Sequence, residues 1–302
     1  MVMIDYKYIA IKEKINEQYT IDIDTEVNGV DMYITSKVRL RYDFTVLNIE
    51  EDGSFDVRLI QLENTLVEAN NEMVKEVALV SQVFGKMYSE LNVKLDYNGK
   101  IKDILNYDVI LSKWEQTKKE MEKAIEENES IKNAISLNDQ IYTNPTKVKE
   151  ALEANEFFKV YFGLIFGAKF PIKDKIIPGT NFFNTANVQW KMDIESTAFL
   201  PNENQYVDIT MKAQPASTLT ARLYNAAYNQ FANKIDISKL NTQLDQYEIR
   251  KVQIKTGKVM EALLTKTEIA DAEKLYTKLK YTLRSDSFTN EIKKFKTQKS
   301  NS

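Results

Sequence analysis

Four carboxylates lie close together in the N-terminal region, and three of them alternate along one short segment. They are Asp22, Asp24, Glu26 and Asp31. In an extended strand, residues two apart lie on one face, so these oxygens could hold a metal ion or raise the pKa of a neighbouring carboxyl for acid catalysis. The alternative is a solvated strand face whose acids form charge pairs with Lys37, Arg39 and Arg41 on the next strand.

The composition excludes much other chemistry. The chain has no His and no Cys among its 302 residues, so thiol nucleophiles, His-based triads and the usual zinc ligands are absent. The 8 Gly are scattered, and no GxGxxG or GxxxxGKS/T motif occurs, which disfavours nucleotide binding. We therefore expect a protein that is not an enzyme, with no catalytic residues, no metal and no cofactor.

A second feature with functional potential is the apolar segment of residues 157–170, which contains Gly163 and Gly167. As a helix it would be apolar on all sides, so it must be buried on every side or contact a ligand or partner. Two interpretations follow, a core helix and a groove for a lipid, a peptide or a partner helix. The candidate groove residues are Phe158, Tyr161, Phe162, Phe166, Phe170 and Trp190.

The elements that position these residues begin with strands. Apolar and polar residues alternate from Tyr19 to Val46, which predicts two long strands that meet at Asn28-Gly29 in a tight type I′ turn. A third strand follows Gly53 and completes an antiparallel meander. We expect one face of the second strand to be buried. Its members are Met32, Ile34, Val38, Leu40, Tyr42, Phe44 and Val46.

The apolar period then changes to three and four residues, which predicts a helical middle of about residues 70–168. One helix should begin at Asn144-Pro145, with Asn144 as its N-cap. After a loop at Pro171 and Pro178, strand patterns return at about 186–284, and the basic tail 285–302 is expected to fray. Together with the sheet-forming segment of about 1–68, this predicts a single α+β domain over 1–302. In it, an antiparallel sheet, made of the N-terminal meander plus C-terminal hairpins, packs against central helices.

Two of the predicted hairpins share a strand, a Gly-Lys turn and a second strand, and they lie at residues 95–105 and 253–263. These elements resemble those of bacterial cell-envelope proteins such as lipoprotein carriers, which have one curved antiparallel sheet with helices on its concave face. The resemblance covers the sheet-forming thirds of the chain and transfers no functional residue. It implies a sheet that shelters an acyl chain.

Charge and hydropathy limit the partners and the location. The chain has 41 Lys and Arg against 44 Asp and Glu, a net charge of -3, so we expect no nucleic acid partner. The most apolar stretch is shorter than a membrane span, so no transmembrane segment is expected. No signal peptide is visible, which predicts a cytoplasmic protein as written, or a periplasmic or cell-envelope protein if a leader has been removed.

Three functional hypotheses remain. The first is a non-enzymatic binding protein whose partner is another protein, for example in a bacterial accessory or toxin-neutralising role. The second is a carrier of a lipid or other apolar ligand between the sheet and the Phe-rich segment, which predicts a cavity lined by Phe158, Phe162 and Phe166. The third is a carboxylate-based, metal-dependent enzyme at Asp22 and its neighbours, which predicts carboxylates that converge in a concave site.

Overall fold

The computed structural model describes residues 8–121, 129–199 and 206–300, and eleven strands within them form one antiparallel sheet. The strands are β1 (Asn16–Gly29), β2 (Tyr33–Ile49), β3 (Phe55–Ala69), β4 (Glu90–Leu95), β5 (Ile101–Ile104), β6 (Ile172–Thr180), β7 (Asn187–Phe199), β8 (Tyr206–Pro215), β9 (Gln243–Gln253), β10 (Val259–Asp271) and β11 (Leu275–Ser285). Their order is β5-β4-β3-β2-β1-β11-β10-β9-β8-β7-β6. The first and last strands therefore pair at the centre of the sheet.

Helices connect the two edges of the sheet and flank its ends. They are α1 (Glu72–Gly85), α2 (Tyr107–Glu120), α3 (Glu129–Tyr142), α4 (Pro145–Glu153), α5 (Glu156–Tyr161), α6 (Ala221–Tyr228) and α7 (Asp286–Ser300). Since α2 to α5 lie between β5 at one edge and β6 at the other, this part of the chain crosses the whole sheet. The predicted α+β class with an antiparallel sheet is confirmed.

An aromatic core lies between α5 and the centre of the sheet, on the face that we call the inner face. Tyr19 of β1 is fully buried, with its ring centroid 5.5 Å from Tyr161 and 5.6 Å from Phe157. Phe44 of β2 lies 4.8 Å from Tyr161, and the Tyr19 hydroxyl donates to the Val259 carbonyl at 3.0 Å. Edge-on and tilted ring packing of this kind adds to the stabilisation from burial alone.

Two predictions about the first hairpin are wrong in detail. The turn centres on Val30 and Asp31, because Asn28 pairs with Tyr33 and the Gly29 amide donates to the Met32 carbonyl at 2.8 Å. Pairing with β11 extends β1 through Gly29, so tertiary contacts override the local preference of Asn-Gly. The even face of β2 is buried from Leu40 to Val46, whereas Met32 is 43% exposed because the core does not reach the turn.

The helix predicted at Asn144-Pro145 is confirmed, since the Asn144 side chain accepts from the Thr146 amide at 3.0 Å. The single long apolar helix is wrong, because α5 ends at Tyr161. Gly163 and Gly167 follow with φ of 52° and 69°, a left-handed backbone that ends the helix.

The predicted loop around Pro178 contains strand β6, the edge strand of the sheet formed by the described residues, and proline is tolerated on an edge strand. The tail predicted to fray forms α7. Its first turn is held to the sheet, where the Ser287 amide donates to Glu17 at 3.2 Å and the Phe288 amide donates to the Ser285 hydroxyl at 3.2 Å.

Both Gly-Lys hairpins are confirmed, with φ of 80° at Gly99 and 76° at Gly257. A Cβ at Gly99 would lie 2.4 Å from the Phe162 ring, and one at Gly257 would lie 1.9 Å from the Ala10 carbonyl oxygen. Glycine is therefore required by contacts between distant segments as well as by the turns.

Candidate functional site

A pocket of about 330 Å³ opens on the inner face beside the aromatic core, and we call it the Lys266 pocket. Its floor is one cross-strand row, in which the register aligns each residue with its neighbour on the next strand. From β7 to β11 the row is Met192, Ala213, Gln246, Lys266 and Leu279. The pocket floor is therefore built by the register of five neighbouring strands.

The wall on the β6 side is aromatic. Trp190 is 5% exposed, and its ring stacks on Phe182 with 5.1 Å between centroids. The indole N–H donates to the Thr180 carbonyl at 3.3 Å. A Cβ at Gly179 would lie 2.9 Å from the Trp190 ring, so glycine lets the indole lie against the β6 backbone. The remaining apolar wall includes Leu164.

A buried carboxylate holds the loop that closes this wall. Glu268 is fully buried, and its oxygens accept from Asn181 Nδ2 at 2.8 Å, from the Tyr228 hydroxyl at 2.7 Å and from the Phe183 amide at 3.1 Å. The Phe182 amide is a further donor. Burial, reinforced by the Glu268 charge, raises the pKa of Tyr228 well above its usual value. Four donors thus compensate a carboxylate that has no ion pair within the described part of the chain.

Lys266 precedes Glu268 by two residues and lies on the same face of β10. Its Nζ lies 5.6 Å from the centre of the Phe182 ring, a cation–π contact. Within residues 8–121, 129–199 and 206–300, no carboxylate lies within ion-pair distance of this ammonium. Burial lowers the pKa of Lys266, and the more distant charges of Glu248 and Glu156 oppose that shift while Lys159 adds to it.

The neighbouring acid, Glu248, is already neutralised. It forms a buried ion pair with Arg250, whose side chain is 1% exposed. Arg250 also donates through Nε to the Val160 carbonyl at 2.9 Å and through Nη2 to the Lys159 carbonyl at 3.3 Å, so it caps the C-terminal end of α5. A Cβ at Gly163 would lie 2.4 Å from this guanidinium, which explains the glycine.

Only one of the six predicted groove residues lines the Lys266 pocket, namely Trp190. The other five are 0–5% exposed and belong to the aromatic core. Lys266 and Glu268 are not among the predicted site residues, although the sequence carries a signal for them. Both interrupt the buried even-numbered face of β10, where charged side chains are rare unless they serve a structural or functional purpose.

The N-terminal carboxylates form cross-strand ion pairs on the outer face of the sheet. The pairs are Asp22–Arg39 at 2.8 Å, Asp24–Lys37 at 3.4 Å and Glu26–Lys278 at 3.4 Å. Asp31 instead contacts Lys234. Among the described residues, no group of three or more acids is placed to hold a metal ion. The geometry matches the charge-pair interpretation of these residues.

Helix α1 presents apolar side chains to solvent. Met73, Val77, Leu79 and Val80 are 53–64% exposed, and none of the residues of α1 is buried. We call these four residues the α1 surface. Exposed apolar side chains concentrated on one helix mark a candidate interaction surface.

No protein-family profile and no curated protein matches this sequence. A solved structure of lipid–protein interactions in lipovitellin is similar over 90% of this chain, with 8% identity and a TM-score of 0.42. The chain spans 25% of the length of that structure. In the part of the chain that the structure describes, every helix is too short or too polar to traverse a lipid bilayer.

Proposed function

We propose that this protein is a non-enzymatic binding protein that takes a small amphipathic molecule into the Lys266 pocket. The observation that carries the proposal is a pocket of about 330 Å³ with an aromatic wall, a mixed polar and apolar lining and one ammonium. Small-molecule sites usually have volumes of about 300–1,000 Å³, mostly apolar walls and a few polar groups that orient the ligand. The absence of His and Cys from the chain favours binding over acid–base or nucleophilic catalysis.

This proposal keeps the carrier hypothesis but moves the ligand. Phe158, Phe162 and Phe166 are packed in the core, so the ligand lies beside that core, against Trp190 and Leu164. The rings of the core hold the sheet and α5 in place, and the wall of the pocket depends on the loop fixed by Glu268.

The test is a pocket-filling substitution with a matched control. Ala213 lies on the pocket floor, and Gln214 is the next residue, exposed on the opposite face of β8. Binding of decanoate and 1-decanol is measured by isothermal titration calorimetry, with circular dichroism as a check of folding. We expect Ala213→Phe to weaken binding at least about tenfold and Gln214→Phe to leave it unchanged. No binding to the wild type, or equal binding to both variants, would refute the proposal.

A second candidate function is docking of another protein on the α1 surface. The observation in its favour is the exposure of Val77 and its three apolar neighbours. We propose an amphipathic helix as the partner element, because such helices bury apolar faces against each other. A photo-crosslinking amino acid at Val77 should give one discrete adduct in host cells, whereas the same group at Lys75, which is exposed outside this face of the helix, should not. Equal labelling from both positions would count against this function.

A further inference from the structure

We infer that the ligand of the Lys266 pocket carries a single carboxylate, which forms an ion pair with Lys266 Nζ and lays its apolar chain against Trp190 and Leu164. This inference rests on the proposed function, because it names the chemical class of the molecule that the pocket binds. It follows from an inventory of the charges on the inner face of β9 and β10.

Four ionisable side chains lie on the inner face of β9 and β10, and three of them have an ion-pair partner or several hydrogen-bond donors. Glu248 and Arg250 neutralise each other, and Glu268 accepts four hydrogen bonds. Lys266 is the remaining group, and throughout the described ranges it has neither an ion pair nor a hydrogen bond. Glu248 and Glu156 act on this ammonium only from beyond ion-pair distance. A half-buried ammonium whose direct contact is an aromatic ring is costly without a paired counter-charge. A bound anion would supply that charge.

The neighbouring polar groups favour a monovalent anion. The side-chain amide of Asn181 donates to Glu268 and Thr185, and that of Gln246 donates to Glu248. The other polar residues that line the pocket, Thr180, Asn184 and Thr277, are neutral, so Lys266 is the one charged residue among the described lining residues. A phosphate monoester would bring a second negative charge without a matching cation, whereas a carboxylate balances the one positive charge of Lys266.

The rest of the pocket fits an alkyl chain. Leu279 and Met192 lie in the same cross-strand row as Lys266, and Trp190 and Leu164 form the wall. These apolar side chains lie beside one ammonium in a lining that also contains neutral polar groups. A fatty acid of medium length has a charged end for the ammonium and an apolar chain for the apolar side chains.

The experiment compares decanoate, 1-decanol and decyl phosphate at neutral pH by isothermal titration calorimetry. The proteins are the wild type, Lys266→Met and Lys280→Met. Lys280 is a matched control because it is an exposed lysine on the neighbouring strand β11. We expect the wild type and Lys280→Met to bind decanoate at least about tenfold more tightly than 1-decanol and more tightly than decyl phosphate. Lys266→Met should lose this preference while it still binds 1-decanol, which also shows that the variant is folded.

The possible failures are distinguishable. If no amphiphile binds to the wild type, the proposed function fails together with this inference. If 1-decanol binds as tightly as decanoate, or Lys266→Met keeps the preference, the pocket binds ligands but Lys266 does not select a carboxylate. Tighter binding of decyl phosphate would overturn the assignment of a single carboxylate.

Discussion

Replacing Phe162 with Ala tests whether the Phe-rich segment is core. The Phe162 side chain is 2% exposed, and its ring lies 4.8 Å from Tyr161 and 5.0 Å from Phe166. Gly99 also packs against it so closely that a Cβ there would lie 2.4 Å from the ring. The substitution therefore removes a large buried group whose neighbours are held by the sheet and the β4–β5 hairpin, and they cannot easily fill the space.

Truncation of a buried Phe to Ala costs about 3–5 kcal/mol, because the lost transfer free energy is added to the cost of a cavity. We expect the upper half of this range at Phe162, since the surrounding rings belong to several elements that cannot collapse together. A domain has only about 5–15 kcal/mol of stability, so the midpoint of unfolding should fall sharply.

The assay is urea denaturation followed by circular dichroism, with the slope compared between proteins to check two-state behaviour. Leu164→Ala is the matched control, because Leu164 is 44% exposed and lines the Lys266 pocket. It should cost less than about 1 kcal/mol in stability but weaken ligand binding. A loss below about 1 kcal/mol for Phe162→Ala, with impaired binding, would refute the assignment of Phe162 to the core.

Four further substitutions follow from the same structure. Arg250→Met should cost about 3–5 kcal/mol because it leaves the Glu248 carboxylate buried without its partner, and urea denaturation should show that adding Glu248→Met recovers part of the loss. Val30→Gly should change stability by less than about 1 kcal/mol in urea denaturation, since relief of the strained φ of 73° is offset by the loss of a partly buried side chain, and a larger loss would contradict this. Gly257→Ala should cost about 2 kcal/mol or more by the same assay, because φ is 76° and the new Cβ would collide with a backbone carbonyl. Lys266→Met should be more stable than the wild type at neutral pH. Burial lowers the pKa of Lys266 in the folded protein, so below this lowered pKa folding must bury a charged lysine. Above it the folded protein holds a neutral lysine, and the penalty falls until the unfolded chain also loses its proton near 10.5. The difference in thermal stability between Lys266→Met and the wild type should therefore shrink over this pH range.

Patterns within one short segment correctly predicted the features that depend on that segment alone. Alternation along β2 predicted its strand and the burial of Leu40 to Val46, and the Asn144-Pro145 pair predicted the start of α4. The Gly-Lys turns predicted two hairpins correctly, because a backbone with positive φ selects glycine wherever the turn occurs. Predictions failed where pairing between strands overrode a local turn signal. Pairing with β11 moved the first turn to Val30, and pairing with β7 converted the predicted loop at Pro178 into β6.

By itself the sequence determined the chemistry that the protein lacks, the α+β class and most of the strands, because composition and short-range periodicity are properties of the chain. Only the tertiary structure decided which side chains share a site. Met192, Gln246, Lys266 and Leu279 lie in one row because five neighbouring strands adopt one register, and alternation within a strand does not by itself specify which residue of the next strand lies opposite. Tertiary packing also decided that the Phe-rich segment is core. A segment that is apolar on all sides suits a core and a groove equally well. Here it belongs to the core, because α5 packs against the aromatic rings of β1 and β2.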